Sequence, residues 1–173
     1  SITSANQDIP KGLIEQFKAT GVYTDGTQDL TSQVTWIADS DGNGFDDSLV
    51  AKVSNQPGSQ GQVKVIASDG KVVISGSING LKSTKEIYAK PAQLISIEFR
   101  DSYNNPSNTS STIAGLTESI KAIAMYSDNT FPDITSNLTW IADSDGNGKN
   151  DNLVATVDAK GLVTTIAPGQ VKI

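Results

Sequence analysis

Nine consecutive residues occur twice in this chain, and this repeat constrains the fold more than any other feature. The sequence Trp-Ile-Ala-Asp-Ser-Asp-Gly-Asn-Gly occupies residues 36–44 and returns unchanged at residues 140–148. Identical segments separated by about 100 residues indicate a duplicated domain rather than the short repeat of a solenoid. The sequence therefore predicts two domains, residues 1–91 and 92–173, with a proline-containing linker at residues 90–92.

The composition excludes several classes of function. The 173 residues carry a formal net charge of −6, so no nucleic-acid partner is expected. The chain has no Cys and no His, which removes disulfides, thiolate chemistry, the commonest general base and the usual zinc ligand. There is no apolar run of about 18 residues, so no membrane span is expected. No nucleophile–base pair or phosphate-binding loop is apparent, and we expect the chain not to be an enzyme.

Short alternating runs bounded by turn residues predict an all-β fold. Asp25-Gly26 and Asn79-Gly80 are typical hairpin turns. The predicted strands of the first copy are residues 1–5, the end of a first strand, and residues 13–23, 34–38, 49–53, 62–67, 72–78 and 83–89. Those of the second copy are residues 94–99, 115–126, 138–142, 153–157 and 161–167. The predicted fold class is two tandem immunoglobulin-like β-sandwiches.

The second sandwich is predicted to be incomplete at its C-terminal end. The first copy has a further hairpin reaching Ala89, and the second copy, which stops at Ile173, lacks most of the two equivalent strands. Two explanations are open. Continuation of the chain is favoured because the first copy also starts short, and the alternative is a strand donated by another subunit.

Four segments of the first copy resemble bacterial immunoglobulin-like domains of group 2. They are Ile-Pro-Lys-Gly at 9–12, Gln-Phe-Lys-Ala-Thr-Gly-Val-Tyr-Thr-Asp-Gly-Thr at 16–27, Asp-Leu-Thr-Ser-Gln-Val-Thr-Trp at 29–36 and Val-Ala-Lys-Val-Ser at 50–54. The second copy repeats the pattern through Asp133-Ile134-Thr135-Ser136 and Trp140. The resemblance implies a β-sandwich. Such domains occur in tandem in surface adhesins, invasin-like proteins, phage surface proteins and secreted enzymes, and the acidic loop after each Trp strand departs from their pattern.

That acidic loop places oxygen-bearing side chains at alternate positions, as calcium-binding loops of the EF-hand type do. Side chains would bind the ion at loop positions 1, 3, 5 and 9, and a backbone carbonyl would bind it at position 7. The predicted ligands are Asp39, Asp41, Asn43, Phe45 and Asp47 in the first copy and Asp143, Asp145, Asn147, Lys149 and Asp151 in the second. Position 12 is Val50 or Val154 instead of the bidentate Glu. The loops therefore resemble those of thrombospondin type 3 repeats and dockerins.

Calcium is the predicted cofactor, and an ion-free polar turn is the alternative. The ion is favoured because three carboxylates within nine residues repel one another and because the arrangement occurs twice. Magnesium fits less well, since it prefers few carboxylates and retains its waters. The remaining ligands would come from water, a nearby carbonyl or a neighbouring domain. Asp46 and Asn150, at position 8, are expected to point away from the ion towards solvent.

Other candidate residues have simpler interpretations. Trp36 and Trp140 are predicted to be core residues, with ligand stacking as the alternative. Two segments match the N-glycosylation sequon, Asn108-Thr109-Ser110 and Asn137-Leu138-Thr139.

Three functions are compatible with these features. The favoured one is a calcium-stabilised structural repeat of a long bacterial or archaeal surface adhesin or extracellular filament. The others are a spacer or carbohydrate-binding accessory module of a secreted enzyme, and a phage surface domain. The predicted partners are neighbouring copies of the same domain, a surface glycan or protein receptor, and subunits that exchange strands. The predicted location is extracellular, at the cell surface.

Overall fold

The computed structural model describes residues 1–106 and 113–173, which form two units. Unit 1 comprises Ser1–Gln93 with Ser127–Asn129, and unit 2 comprises Leu94–Tyr126 with Thr130–Ile173. The predicted boundary after residue 91 stays a prediction. The sequon at Asn108 lies outside the described residues.

Unit 1 is built from ten β-strands in three sheets. The strands are β1 Ile2–Thr3, β2 Asp8–Pro10, β3 Ile14–Gln16, β4 Lys18–Tyr23, β5 Gly26–Asp29, β6 Thr35–Asp39, β7 Ala51–Val53, β8 Gln62–Val65, β9 Lys71–Ile78 and β10 Leu81–Lys90. The sheet orders are β1-β4-β5, β2-β10-β9-β6 and β3-β8-β7. The predicted turn at Asn79-Gly80 joins β9 to β10, and both of its residues have positive φ, 47° and 78°.

The core of unit 1 is centred on Trp36 and Phe17. Their rings meet edge to face, with centroids 6.4 Å apart. Trp36 is 1% exposed, and Phe17, Ile74 and Ile87 are fully buried. Burying one such apolar side chain contributes about 1.5–3 kcal/mol to folding. Trp36 is therefore a core residue, as predicted, and its ring is not available for stacking on a ligand.

The backbone satisfies the buried indole N–H of Trp36. That group donates to the carbonyl oxygen of Thr31 at 3.0 Å. Thr31 is fixed in turn, because its N–H donates to Asp29 Oδ1 at 2.8 Å and its hydroxyl accepts from Ala19 N–H at 3.0 Å. The Asp-Leu-Thr sequence before the Trp strand thus positions the acceptor that a buried Trp requires.

The single strand predicted over residues 13–23 is wrong in one respect, because the chain changes sheet at Phe17. β3 pairs with β8, whereas β4 pairs with β1 and β5. At the break, the Phe17 N–H donates to Gly61 O at 2.8 Å. Gly61 has φ 75°, and a Cβ there would lie 2.6 Å from the Phe17 carbonyl oxygen. This close approach lets Phe17 enter the core between the two strands.

β6 has a hydrogen-bonding partner on each side. On one side it pairs antiparallel with β9, which places Trp36 opposite Gly76. On the other side Asn55 takes the place of a strand. The Trp36 N–H donates to Asn55 Oδ1 at 2.8 Å, and Asn55 Nδ2 donates to Trp36 O at 2.9 Å. One amide side chain therefore closes the outer edge of this sheet at Trp36.

Unit 2 has five strands and one short helix among its described residues. These are β11 Leu94–Arg100, β12 Thr117–Ser119, β13 Lys121–Tyr126, the 3-10 helix Thr135–Asn137, β14 Ala155–Val157 and β15 Leu162–Thr165. The sheets are β11-β13 and β12-β15-β14. The regular secondary structure of the described residues is therefore strand apart from one 3-10 turn, which confirms the predicted all-β fold class. Nothing helical in the described part of the chain is long and apolar enough to cross a membrane.

Unit 2 repeats the hydrogen bonds around the Trp indole. Trp140 Nε1–H donates to Thr135 O at 2.8 Å, and the Thr135 hydroxyl accepts from Ala122 N–H at 2.9 Å. The Thr135 N–H donates to Asp133 Oδ1 at 2.9 Å. The Asp-x-Thr sequence therefore has the same role in both copies.

Residues 138–142 were predicted to form a strand equivalent to β6, and this prediction is wrong. Within the described residues, the ladder that β6 forms with β9 is reduced here to one antiparallel bridge, between Asp143 and Lys172. The register of β14 on β15 places Ala159 at the position of Asn55. The segment thus has neither of the two partners of β6, and a strand requires a hydrogen-bonded neighbour.

The Asn55 side chain gives a first prediction. Asn55→Ala leaves the N–H and C=O of Trp36 without their partners, so the free energy of unfolding should fall by about 1–2 kcal/mol. Denaturant unfolding followed by Trp fluorescence measures the change. Gln56→Ala is the control, because the hydrogen bonds of Gln56 use its backbone N–H and C=O, which alanine keeps. Equal stability of the two variants would contradict the edge-closing role of Asn55.

Candidate metal centre

In each acidic loop, the side chain at position 8 accepts a hydrogen bond from the residue that precedes the loop, and this contact closes the base of the loop. In the first loop, Asp46 Oδ1 accepts from Ala38 N–H at 2.8 Å, and Asp47 N–H donates to Ala38 O at 3.1 Å. In the second, Asn150 Oδ1 accepts from Ala142 N–H at 2.9 Å. Asp46 and Asn150 are exposed, as expected, but they point back to the strand end rather than into solvent. The sequence offered one clue, since both copies carry Asp or Asn there.

Two glycine amides hold the first carboxylate of the first loop. Asp39 Oδ1 accepts from Gly42 N–H at 2.7 Å, and Oδ2 accepts from Gly44 N–H at 2.8 Å. Both glycines have positive φ, 82° and 87°. A residue with a Cβ is strained in this conformation, so glycine is needed for the N–H groups to turn towards Asp39.

The last carboxylate of the first loop closes it from the other side. Asp47 Oδ2 accepts from Ser40 N–H at 2.6 Å and from Asp41 N–H at 3.1 Å. Asp47 Oδ1 accepts from Leu49 N–H at 2.9 Å. Asp47 therefore links the beginning of the loop to the chain that leaves it.

Asp41 and Asn43 continue the loop in steps of two residues. Asn43 N–H donates to Asp41 Oδ1 at 3.1 Å, and Asn43 Nδ2 donates to Asp41 Oδ2 at 2.9 Å. Asn43 Oδ1 accepts from Phe45 N–H at 2.8 Å. The Phe45 side chain is 73% exposed and carries no oxygen. The predicted contribution of Phe45 to ion binding is therefore that of its backbone carbonyl.

The second loop reproduces this geometry. Asp143 accepts from Gly146 N–H at 2.7 Å and from Gly148 N–H at 2.9 Å. Asp151 Oδ2 accepts from Ser144 N–H at 2.7 Å, and its Oδ1 accepts from the Ser144 hydroxyl at 3.1 Å.

The middle of the second loop also matches the first. Asn147 N–H donates to Asp145 Oδ1 at 3.1 Å, and Asn147 Nδ2 donates to Asp145 Oδ2 at 2.8 Å. Lys149 N–H donates to Asn147 Oδ1 at 2.9 Å. The shared sequence Asp-Ser-Asp-Gly-Asn-Gly thus gives the same loop geometry in both units, although the preceding segment is a strand in unit 1 and irregular in unit 2.

The three carboxylates of each loop converge. One oxygen from each of Asp39, Asp41 and Asp47 lies within 4.8 Å of the other two, and the same holds for the second loop. Oxygens bound to one Ca²⁺ at about 2.3–2.6 Å lie at most about 5.2 Å apart. The carboxylates are therefore close enough to share one ion. Ligation by Asn43, Phe45, Asn147 and Lys149 stays a prediction.

The loops hold their carboxylates in the charged form. Partial desolvation raises the pKa of Asp39, but the N–H groups of Gly44 and Gly42 outweigh it and bring the pKa below its usual value. The pKa of Asp143 is lowered, mainly by the Gly148 N–H. The pKa values of Asp47 and Asp151 are lowered as well, with the Leu49 and Leu153 N–H groups as the leading favourable contacts. Each loop is thus a concentrated negative site at neutral pH.

The chain is similar to part of one longer protein. Ice-binding protein 1 of Shewanella frigidimarina (strain NCIMB 400) is 34% identical over 170 residues, which is 98% of this chain and 17% of that protein. No family model matches the chain.

The chain also has distant structural neighbours. Extracellular domains 3–5 of Drosophila OTK match at a TM-score of 0.41 and 10% identity, over 96% of this chain and 52% of that one. Human protocadherin-24 EC1-2 matches at a TM-score of 0.33 and 11% identity, over 97% of this chain and 78% of that one. At these scores neither likeness carries a conclusion about ligand or role.

The lowered pKa values predict a response to acid. An aspartate whose folded pKa is lowered stabilises the fold fully above the unfolded pKa and loses that contribution as pH falls through the folded pKa. Without divalent ions, stability should therefore fall as pH drops below 3.8, the usual aspartate value. Asp39→Asn with Asp143→Asn should make this decline shallower. Urea unfolding at stepped pH values measures it, with the exposed pair Asp25→Asn and Asp69→Asn as control.

Proposed function

We propose that this chain is a calcium-stabilised structural module of a longer extracellular protein, made of two small β-sandwich domains of the bacterial immunoglobulin-like group 2 type. One observation carries the proposal. The same oxygen-lined loop occurs in both units, and in each the three carboxylates approach within 4.8 Å of one another. A loop that recurs in both units, within the same connection of each, fits a device that stabilises each domain.

The donor chemistry supports calcium. All the predicted ligands are carboxylate, amide or backbone oxygens, and Ca²⁺ takes 6–8 oxygens in flexible geometry. Position 12 is Val50 or Val154, which has no side-chain oxygen. Water or a further backbone carbonyl would therefore complete the coordination shell of the ion. In this respect the loops resemble those of thrombospondin type 3 repeats and dockerins. The affinity should then lie in the range of extracellular modules, with Kd about 10⁻⁴ to 10⁻³ M.

The position of the first loop explains how an ion stabilises unit 1. The loop joins β6, in the sheet β2-β10-β9-β6, to β7, in the sheet β3-β8-β7. Asp39 is the last residue of β6, and Asp47 accepts from Leu49 N–H, two residues before β7 begins. An ion held by Asp39 and Asp47 therefore ties the crossing between the two sheets and cancels the repulsion between their carboxylates.

The proposed biological role is that of a repeat in a surface adhesin or extracellular filament, at the cell surface and without catalytic activity. Neighbouring copies of the domain are its proposed partners, and a glycan or protein receptor would be bound by other parts of the longer protein. Similarity over 98% of this chain to 17% of Ice-binding protein 1 supports a module used within a larger protein.

That similarity also gives a second candidate, in which this chain itself binds ice. Its support is the 34% identity that the chain shares with Ice-binding protein 1. The structural role is preferred because the duplicated loops account for the residues that the two copies share most closely.

Calcium addition tests the main proposal. At about 10 mM Ca²⁺ and a Kd of about 1 mM, the melting temperature should rise by roughly 5–10 °C, and excess chelator should reverse the rise. Asp39→Asn with Asp143→Asn should remove most of the rise, whereas Asp25→Asn with Asp69→Asn should retain it. Mg²⁺ should give a smaller shift. A melting temperature that does not respond to Ca²⁺ in the unsubstituted chain would sink the proposal.

An ice assay separates the two candidates. A structural module should show no thermal hysteresis and no shaping of ice crystals beyond that of serum albumin at equal mass concentration, with or without Ca²⁺. Nanolitre osmometry measures both. Hysteresis that rises with the concentration of this chain would replace the structural role with ice binding.

A further inference from the structure

The dipeptide Asn-Gly occurs three times in the sequence, at residues 43–44, 79–80 and 147–148. In each pair the Asn is exposed and the Gly has a positive φ, which is 87°, 78° and 79° in chain order. The three pairs therefore share their sequence, their exposure and their glycine conformation. They differ in the hydrogen bonds that hold them.

An Asn-Gly pair can lose ammonia without an enzyme. The backbone nitrogen of Gly attacks Cγ of the Asn side chain, forms an N–Cγ bond and closes a five-membered succinimide ring. The Cγ–Nδ2 bond breaks, and the leaving ammonia takes up the proton of the Gly N–H. Water then opens the ring at one of its two carbonyl carbons, which gives either Asp or isoaspartate. Glycine favours the attack because it has no Cβ to hinder the approach of its nitrogen.

The pair at residues 79–80 is unrestrained. It forms the turn between β9 and β10, where both residues have positive φ. Within residues 1–106 and 113–173, neither the Asn79 carboxamide nor the Gly80 N–H has a hydrogen-bond partner. A Cβ at Gly80 would meet nothing within 4 Å, so the turn lies in open space. The attacking nitrogen and the carbon that it attacks can therefore reorient without loss of a hydrogen bond.

The first acidic loop restrains the same pair at both reacting groups. The Gly44 N–H donates to Asp39 Oδ2 at 2.8 Å, which holds the nitrogen. The Asn43 carboxamide is held at both ends, because its Oδ1 accepts from Phe45 N–H at 2.8 Å and its Nδ2 donates to Asp41 Oδ2 at 2.9 Å. Ring closure moves both groups, so it disrupts three hydrogen bonds, two of them to carboxylates.

The second acidic loop restrains its pair in the same way. The Gly148 N–H donates to Asp143 Oδ2 at 2.9 Å. Asn147 Oδ1 accepts from Lys149 N–H at 2.9 Å, and Asn147 Nδ2 donates to Asp145 Oδ2 at 2.8 Å. The protection is thus built from equivalent groups in both units.

We propose that Asn79 is a site of spontaneous deamidation, and that the hydrogen bonds of the acidic loops protect Asn43 and Asn147 from the same reaction. The reaction at Asn79 needs only the Gly80 nitrogen and water. Three hydrogen bonds, two of them charge-assisted, should slow the loop pairs at least about tenfold relative to the turn. The chain then ages at a hairpin turn while its candidate metal centres keep their ligands.

The main effect of deamidation at Asn79 is on the turn. Isoaspartate carries the main chain through the former side chain and adds one carbon atom, which changes the geometry of a two-residue turn. The adjacent cross-strand pair is Ile78 with Leu81. Further along, β9 also pairs with β6 and β10 with β2. Loosening should therefore be confined to the end of the hairpin.

Ageing of the full chain at physiological pH and temperature tests the proposal. Trypsin places the three pairs in separate peptides, residues 72–82, 19–52 and 122–149, so mass spectrometry can follow each conversion of amide to acid. Asn79 should react at least tenfold faster than Asn43 and Asn147. In concentrated urea the three pairs should react at similar rates, which assigns the difference to the folded structure. Excess chelator is present throughout, so the outcome does not depend on the calcium proposal.

Two variants locate the protection. Asp39→Ala should speed deamidation of Asn43 and leave that of Asn147 unchanged, and Asp143→Ala should do the reverse. Neither variant should change the rate at Asn79. In each protein the loop that stays slow reports that the chain has remained folded. Equal rates at the three pairs in the folded chain, or a rate at Asn43 that does not respond to Asp39→Ala, would overturn the proposal.

Amide exchange tests the effect on the turn. Chains that carry isoaspartate at position 79 are separated from fresh chains by chromatography. Exchange at Ile78 and Leu81 should be faster in the aged chains, whereas exchange at Val72 and Ile74 should be the same in both. Unchanged exchange at Ile78 and Leu81 would contradict the loosening of the turn.

Discussion

The hydrogen bond from the buried indole of the Trp strand is the interaction on which the rest of unit 1 depends. Trp36 fills the core only because its N–H reaches Thr31 O, and Thr31 is held there by Asp29. The ring then requires glycine at close range, since Gly61 would place a Cβ 3.0 Å from Trp36 Cζ2. The position of the strand fixes where the chain must cross between sheets, and the acidic loop lies at that crossing. The sandwich and the candidate metal centre thus share one anchor.

The loop is organised by amide groups before any ion is considered. Each oxygen of Asp39 accepts one backbone N–H, and Asp47 accepts three across its two oxygens. A carboxylate has about four lone-pair sites, so these bonds leave capacity for a cation. Because the loop is already ordered, binding of an ion would cost little conformational entropy, and this would compensate in part for the missing Glu at position 12. The proposed stabilisation by an ion would therefore add to the stabilisation by amides rather than compete with it.

Local sequence was sufficient for features that local geometry determines. Asn79-Gly80 could be predicted as a turn because both residues tolerate positive φ, and alternate oxygen side chains predicted the converging carboxylates. β5 was not predicted, because it is exposed at all four positions and so shows no alternation. The break at Phe17 was missed because it depends on Gly61, a residue far away in sequence. The hydrogen bond from Ala38 N–H to Asp46 was not predicted, because position 8 is not a ligand position in the EF-hand pattern.

The two copies of the Trp segment show how far context outweighs sequence. Residues 36–39 and 140–143 are identical, yet the first lie in a strand and the second do not. Two differences accompany this change: the second segment lacks the ladder that β6 forms with β9, and the loop between β7 and β8 is four residues longer than the loop between β14 and β15. In the longer loop, Ser54 and Ser59 hydroxyls meet at 2.7 Å and hold Asn55 against Trp36. In the shorter loop, Asp158 accepts the N–H groups of Lys160 and Leu162 at 2.8 and 2.9 Å, and a tight turn leaves no side chain to reach Trp140. The Asn55 contact that closes the sheet edge at Trp36 therefore depends on an insertion that lies outside the repeated segment.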